Sequence, residues 1–208
     1  MYTFTLNRQK LNMPNTLSEL TYADFLRFIA CKTDLEKIEV LTGENLRDLP
    51  SDCEKAMSNI IALMDKFESQ VNDYLAGRKD PEETTTVNVF DKVVKFDKNL
   101  GQLPYWPFTK VKDVIKKMGK EPFNSYEYYT ALVGHYLYSK LNEYDEYKAE
   151  AFSEEYVSAM PFTDVIALGD FFLFIQHRLW MTNLNYLKAK LQMKKKKLAS
   201  MFLLSTAN

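Results

Sequence analysis

The sequence predicts a mainly α-helical protein, a multi-helix bundle with a small β element near the N-terminus and around residues 86–96. Apolar residues recur at spacings of three and four through most of the chain, which is the pattern of helices that bury one face. Only six glycines and seven prolines interrupt 208 residues. With 46% apolar residues, the chain has enough hydrophobic side chains for a sizeable core.

The N-terminal β element is predicted from an alternation of period two. Tyr2, Phe4 and Leu6 alternate with threonines, and Lys10–Met13 follows a polar turn. Pro14 then ends the pattern, since proline cannot continue a strand ladder. The pattern predicts a β-hairpin, and because an isolated hairpin is only marginally stable, we expect a helix to cover it.

Three helix starts share one capping pattern, in which a hydroxyl residue precedes an acid by three positions. The hydroxyl accepts a hydrogen bond from an amide of the first turn, and the acid reaches back. The third helix is the longest, with about 25 residues and a length of roughly 37 Å. The predicted helices are Thr21 to Cys31, Thr33 to Leu41 ended by Gly43, and Ser51 to Gly77.

Residues 78–86 are predicted to be a surface connection, because they include a proline and no apolar side chain. The connection separates a β-hairpin and helical region at 1–77 from a second, mainly helical region at 87–208, and we expect the two regions to share one core. Valines and Phe96 just after the connection indicate β structure. We expect this second β segment to pair with the N-terminal hairpin.

The second region is predicted to contain further helices at Thr109–Met118 and Ser125–Leu141. A long helix capped by Thr163 and Asp164 is predicted to run into the lysine run at 194–197. A tyrosine-rich stretch at 126–147 is expected to be core on one side and interface on the other. The acidic stretch at 143–155 is interpreted as a solvated helix face and loop.

No motif for catalysis, a cofactor or a metal is found in the sequence. The glycines are isolated, so the chain has no phosphate-binding fingerprint. His135 and His177 lack ligand spacing, and Cys31 and Cys53 are interpreted as reduced thiols explained by core packing. We therefore expect no catalytic, cofactor-binding or metal-binding residues. The alternative is an enzyme whose site is assembled from distant residues, with His135 and the acidic stretch as candidates.

The net charge of −1 conceals a strong segregation of charge. The last 21 residues contain six lysines and no acid, so this segment carries +6 and the rest of the chain −7. One interpretation is a helix end whose tail folds back. The other is a docking segment that meets an acidic surface, or nucleic acid through the lysine run. The predicted partner-binding residues are Lys194, Lys195, Lys196, Lys197, Phe202, Leu203 and Leu204.

The sequence does not indicate a membrane protein. The longest apolar run, at 171–175, is far shorter than the roughly 18 residues of a membrane span. The first residues lack the pattern of a signal peptide. We therefore expect no membrane partner, and a compartment that does not depend on disulfides.

A resemblance to a known family is carried by the stretch Leu11 to Leu49. It contains Pro14–Thr21 leading into an aromatic helix, then Asp34–Gly43 and Leu46–Pro50. This pattern resembles tail assembly chaperones and related structural proteins of tailed bacteriophages, including crAss-like phages. The resemblance covers about a quarter of the chain and consists of capping and helix-turn-helix patterning.

The resemblance implies a non-enzymatic bacteriophage structural or assembly protein that acts through protein contacts. It implies a virion component near the portal or tail, a packaged cargo protein, or a chaperone of the tape-measure protein. Its partners would be other phage structural proteins in a larger assembly. Its location would be the virion or the host cytoplasm.

Overall fold

The fold is mainly helical and contains two small antiparallel sheets, as the sequence predicts. It is taken from a computed structural model. The structure describes residues 1–6, 9–46, 54–78, 86–89, 92–95, 105–117 and 126–174.

The N-terminal hairpin is confirmed. Strands β1 (Tyr2–Leu6) and β2 (Gln9–Met13) pair antiparallel, with Phe4 opposite Leu11. Leu6, Leu11 and Met13 are buried, and the threonines of β1 are exposed. The alternation therefore places the apolar side chains on the face that packs under the helices.

The first two helices begin at their predicted caps. Helix α1 (Tyr22–Ala30) starts after Thr21, whose hydroxyl accepts from the Asp24 amide at 3.1 Å. Helix α2 (Asp34–Thr42) has the full reciprocal box between Thr33 and Glu36 and packs against β2. Asp24 differs from the prediction, because its carboxylate accepts from the Thr21 hydroxyl at 2.8 Å instead of the cap amide.

Gly43 ends α2 in the left-handed conformation, with φ of +73°. Helix α3 (Glu54–Ala76) follows, and the predicted stripe is its buried side. Its fully buried members are Ile60, Met64, Phe67 and Val71. Ser51 and Cys53, the predicted start of this helix, lie outside the described residues.

The second β element forms its own hairpin. Strands β3 (Thr86–Val89) and β4 (Lys92–Lys95) pair with each other, with Val87 opposite Val94. The predicted pairing with the N-terminal hairpin is wrong, because the described strands form two separate two-stranded sheets. Closing a two-residue loop costs far less conformational entropy than bringing together strands about 70 residues apart.

Helix α4 (Tyr105–Lys117) begins four residues before the predicted start at Thr109. Pro107 lies in its first turn, where the missing amide has no helical acceptor and is therefore tolerated. Helix α5 (Tyr129–Leu141) follows a 3₁₀ turn at Tyr126–Tyr128. Its predicted cap, Ser125, lies outside the described residues.

The acidic stretch is more regular than the sequence indicates. It forms helix α6 (Glu146–Phe152), capped by Asp145, and continues directly into a π-helical turn at Ser153–Val157. A π turn contains one more residue than an α turn, so it changes the direction of the side chains that follow it.

The last described helix, α7, comprises residues 162–174 and is buried on nearly all sides. It begins at Phe162, one residue before the predicted cap, and its first amides bond the carbonyl of Pro161 instead of a Thr163 side chain. Its buried aromatic residues are Phe162, Phe171 and Phe172. A helix that is apolar all round is a core helix, and the other elements pack around α7.

The starts of α1 and α7 bond to each other. The Phe162 amide donates to the Leu20 carbonyl at 2.9 Å, and the Tyr22 amide donates to the Met160 carbonyl at 2.8 Å. Phe25 and Phe162 stack beside these bonds with ring centroids 4.7 Å apart. The buried apolar residues from Leu6 to Leu173 belong to one cluster, so both predicted regions contribute to the same core.

Candidate partner-binding surface

The partner-binding residues predicted from the sequence, Lys194–Lys197 and Phe202, Leu203 and Leu204, lie outside the described residues. His177 and Cys53 do as well. The structure therefore tests other candidates: His135, Cys31, the buried charges and the acidic stretch.

His135 is a core residue of α5, with 4% of its surface exposed. Its Nδ1 atom lies 3.1 Å from the Tyr144 hydroxyl, and the two rings tilt against each other. Burial lowers the pKa of the imidazole. The arrangement holds a neutral histidine in the core, and the described residues contain no cluster of His, Cys, Asp and Glu that could hold a metal ion.

Replacing His135 with glutamine is expected to flatten the pH dependence of stability between pH 7 and 5. The folded state holds the imidazole with a lowered pKa, whereas the unfolded chain protonates it near pH 6.5. The unfolded state therefore binds more protons as the pH falls, and wild-type stability decreases below about pH 6.5. Urea titrations of both proteins at several pH values measure the difference. Parallel pH profiles would contradict the assignment.

Cys31 ends α1 and is only partly buried, so the interpretation as a core thiol is wrong for this residue. Its Sγ donates to the Arg27 carbonyl at 3.2 Å. Burial raises the pKa of the thiol, which disfavours the nucleophilic thiolate. An open groove beside it is lined by charges of both signs, among them Arg27, Lys32, Glu36 and Glu39.

The principal buried charges form an ion pair between α3 and α7. The Arg78 guanidinium lies 3.1 Å from both carboxylate oxygens of Asp170. Arg78 also donates to the Leu75 carbonyl and to the Tyr126 hydroxyl, each at 3.0 Å. The Tyr129 hydroxyl donates to Asp170 at 2.7 Å. Arg78, the first residue of the predicted surface connection, is therefore tied to the central helix.

The electrostatics of this ion pair are those of a structural contact. Burial raises the pKa of Asp170, although the Tyr129 hydroxyl and the Arg78 guanidinium both act to lower it. Burial lowers the pKa of Arg78, but Asp170, Tyr126 and Tyr129 outweigh it and raise the pKa above its ordinary value. Every polar group of the pair has a partner, so the cluster joins α3, α5 and α7 and leaves no group aimed at a ligand.

A different surface is exposed on α6 and the π turn. Tyr147, Glu150, Ala151 and Glu154 follow one another at spacings of three and four, which places them on the same side of a helix. All of them are exposed, and Glu155 is exposed beside them. Tyr147 has 83% of its surface exposed. We call these five residues the tyrosine–glutamate face.

The opposite side of the same segment is held tightly against α5. Ala149, Phe152, Ser153 and Val157 are buried, and the Ser153 hydroxyl donates to the Ala149 carbonyl at 2.7 Å. Gly134 makes this approach possible, because a Cβ atom there would lie 1.9 Å from the Ser153 Oγ. The tyrosine–glutamate face is thus carried on a helix packed closely against the core.

Aromatic rings continue beside this face. Phe152 contacts Tyr138 and Tyr156, with ring centroids 5.8 and 5.2 Å away, and Tyr156 is 40% exposed. Within the tyrosine-rich stretch, Tyr129 and Tyr136 are fully buried. The division into buried and exposed tyrosines follows the sequence prediction, and the predicted role as an interface stays a prediction.

Comparisons with protein-family models, with curated proteins and with solved structures found no match to this chain. None of the described helices is both long and apolar enough to cross a membrane.

Proposed function

We propose that this protein is a non-enzymatic assembly component of a tailed bacteriophage and that it binds another structural protein through the tyrosine–glutamate face. The observation that carries the proposal is the exposure of Tyr147 among three exposed glutamates on one helical side. Tyrosine is enriched at the energetic centres of protein interfaces, because it contributes a large contact area with few rotatable bonds. The phage setting is supported by the resemblance of residues 11–49.

The chemistry of the face specifies the kind of partner. Glu150, Glu154 and Glu155 attract a basic surface and repel nucleic acid. The Tyr147 ring contributes apolar area and a π surface on which a lysine or arginine side chain can lie. A structural protein with a basic patch around an apolar centre is the partner that fits, and the portal and tape-measure proteins are the first to test.

Replacing Tyr147 with serine is expected to weaken partner binding by roughly thirtyfold, the loss of a hot spot of about 2 kcal/mol. The protein is co-expressed with the portal and tape-measure proteins of the same phage, and the affinity of any complex is measured by biolayer interferometry. Ile29→Ser is the matched control, because Ile29 is an exposed apolar residue on α1. Unchanged affinity of the Tyr147→Ser variant, or no complex with any virion protein, would overturn the proposal.

A further inference from the structure

The charge of the tyrosine–glutamate face is complementary to one segment of the same chain. The face presents three glutamates and, within its five residues, no basic group. The segment Lys188–Asn208 contains six lysines and no acid, followed by the apolar residues Phe202, Leu203 and Leu204. The proposed partner chemistry, a basic surface with an apolar centre, is therefore present in this chain itself.

The chain is long enough to bring the segment to the face. Thirteen residues, 175–187, separate it from the described part of α7. They span at most about 45 Å when extended. A globular body of this size has a radius of gyration of about 16 Å and thus a diameter of about 40 Å. Every point on its surface is within reach.

Covalent linkage favours the chain's own segment over that of a second copy. A segment tethered by a short linker meets its site at an effective concentration in the millimolar range, far above the concentration of free copies in dilute solution. We propose that in the free protein the tyrosine–glutamate face is occupied by the chain's own segment Lys188–Asn208, which a partner must displace. This inference rests on the proposed binding role of the face.

The contacts expected are those of lysines with the glutamates. The ammonium groups of Lys194–Lys197 bond the carboxylates of Glu150, Glu154 and Glu155, and one of them lies over the Tyr147 ring. The apolar end of the segment covers Ala151 and the exposed edge of Tyr156. Contacts of this kind weaken at high ionic strength, because exposed charges are screened.

Zero-length carbodiimide cross-linking of the full-length protein tests the contact directly. The reagent joins a carboxylate to an amine only where the two already touch, and mass spectrometry identifies the joined peptides. We expect bonds between Glu154 or Glu155 and Lys194–Lys197 in the monomer band, and their loss in 1 M salt. The ion pair of Lys110 with Glu146 is the internal positive control.

The cross-linking result decides the proposal in either direction. Absence of bonds between the face and the lysine run, while Lys110 and Glu146 are joined, would overturn it. Bonds found only in a dimer band would overturn the intramolecular contact and assign the segment to a second copy.

Trypsin cleavage at the lysine run provides a second readout that does not depend on the cross-linking chemistry. Glu154→Gln with Glu155→Gln removes two exposed ion pairs, so we expect cleavage to be about five- to tenfold faster. Asp65→Asn with Asp73→Asn is the matched control, because it removes the same charge from exposed positions of α3. Equal cleavage rates of the two variants would contradict the docking.

Neither measurement needs a partner, so the two proposals fail separately. If the segment does not dock but Tyr147→Ser still weakens partner binding, the docking is wrong and the proposed function stands. If the segment docks and no virion protein binds, the proposed function is wrong.

Discussion

Replacing Arg78 with methionine is expected to lower the free energy of unfolding by about 3–5 kcal/mol. The substitution keeps the side-chain volume but leaves the Asp170 carboxylate buried with the Tyr129 hydroxyl as its remaining printed contact. Removing one partner of a buried ion pair exposes the other to the full cost of desolvation. Urea unfolding followed by circular dichroism at pH 7.5 measures the loss.

Two controls make this first prediction specific. Adding Asp170→Asn to Arg78→Met removes the buried charge and keeps an acceptor for Tyr129, so the double variant is expected to recover most of the loss. The loss in the single variant is also expected to be smaller at pH 5, because burial already raises the pKa of Asp170 and an unpaired carboxyl protonates more readily. A single-variant loss below about 1 kcal/mol, the range of a surface substitution, would contradict the assignment.

Replacing Gly169 with alanine is expected to lower the free energy of unfolding by about 2–3 kcal/mol. The new Cβ atom would lie 2.1 Å from the ring of Tyr129. That ring cannot easily move, because its hydroxyl bonds Asp170 and it packs edge-on against Tyr126. Overpacking a well-filled core costs typically about 1–3 kcal/mol, and the clash here outweighs the helix propensity gained from alanine.

Gly43→Ala is the comparison for this second prediction. No atom lies within 4 Å of a Cβ at Gly43, so that substitution costs only the strain of a positive φ, about 1 kcal/mol. Urea unfolding of both variants under the same conditions separates steric overlap from backbone strain. A Gly169→Ala variant as stable as the wild type would show that α7 and Tyr129 pack less closely than described.

The parts of the fold that could be predicted from the sequence are those governed by nearby residues. The caps at Thr21 and Thr33, the left-handed Gly43 and the apolar stripe of α3 all depend on side chains within a few positions of each other. The N-terminal hairpin was predicted for the same reason. A local pattern constrains local structure strongly, since its contacts carry little loop-closure entropy.

The features that could not be predicted depend on partners far along the chain. Arg78 lies in a polar stretch that is typical of a surface connection, yet its partner Asp170 is 92 residues away. The start of α7 was placed at a side-chain cap, whereas α1 supplies the acceptor for its first amide. Such contacts leave no periodic signal in a single sequence.

The candidate surface shows the same division. The spacing of Tyr147, Glu150 and Glu154 was visible in the sequence as a polar helical side. What the sequence did not show is that Ser153 and Gly134 fit closely enough to hold this side rigidly. The close fit depends on the meeting of α5 with the π turn, which no local pattern specifies.

The hydrogen bonds between the starts of α1 and α7 have a consequence for synthesis on the ribosome. Thr21 and Pro161 form a β-bridge across 140 residues of sequence. At about 5–20 residues per second, the second half of this bridge is synthesised roughly 7 to 28 s after the first. During that interval the first amides of α1 lack their final acceptors, and the aromatic ring of Phe25 lacks the ring it stacks on. The nascent chain therefore completes its core only when α7 emerges, a point at which a ribosome-bound chaperone would have most to protect.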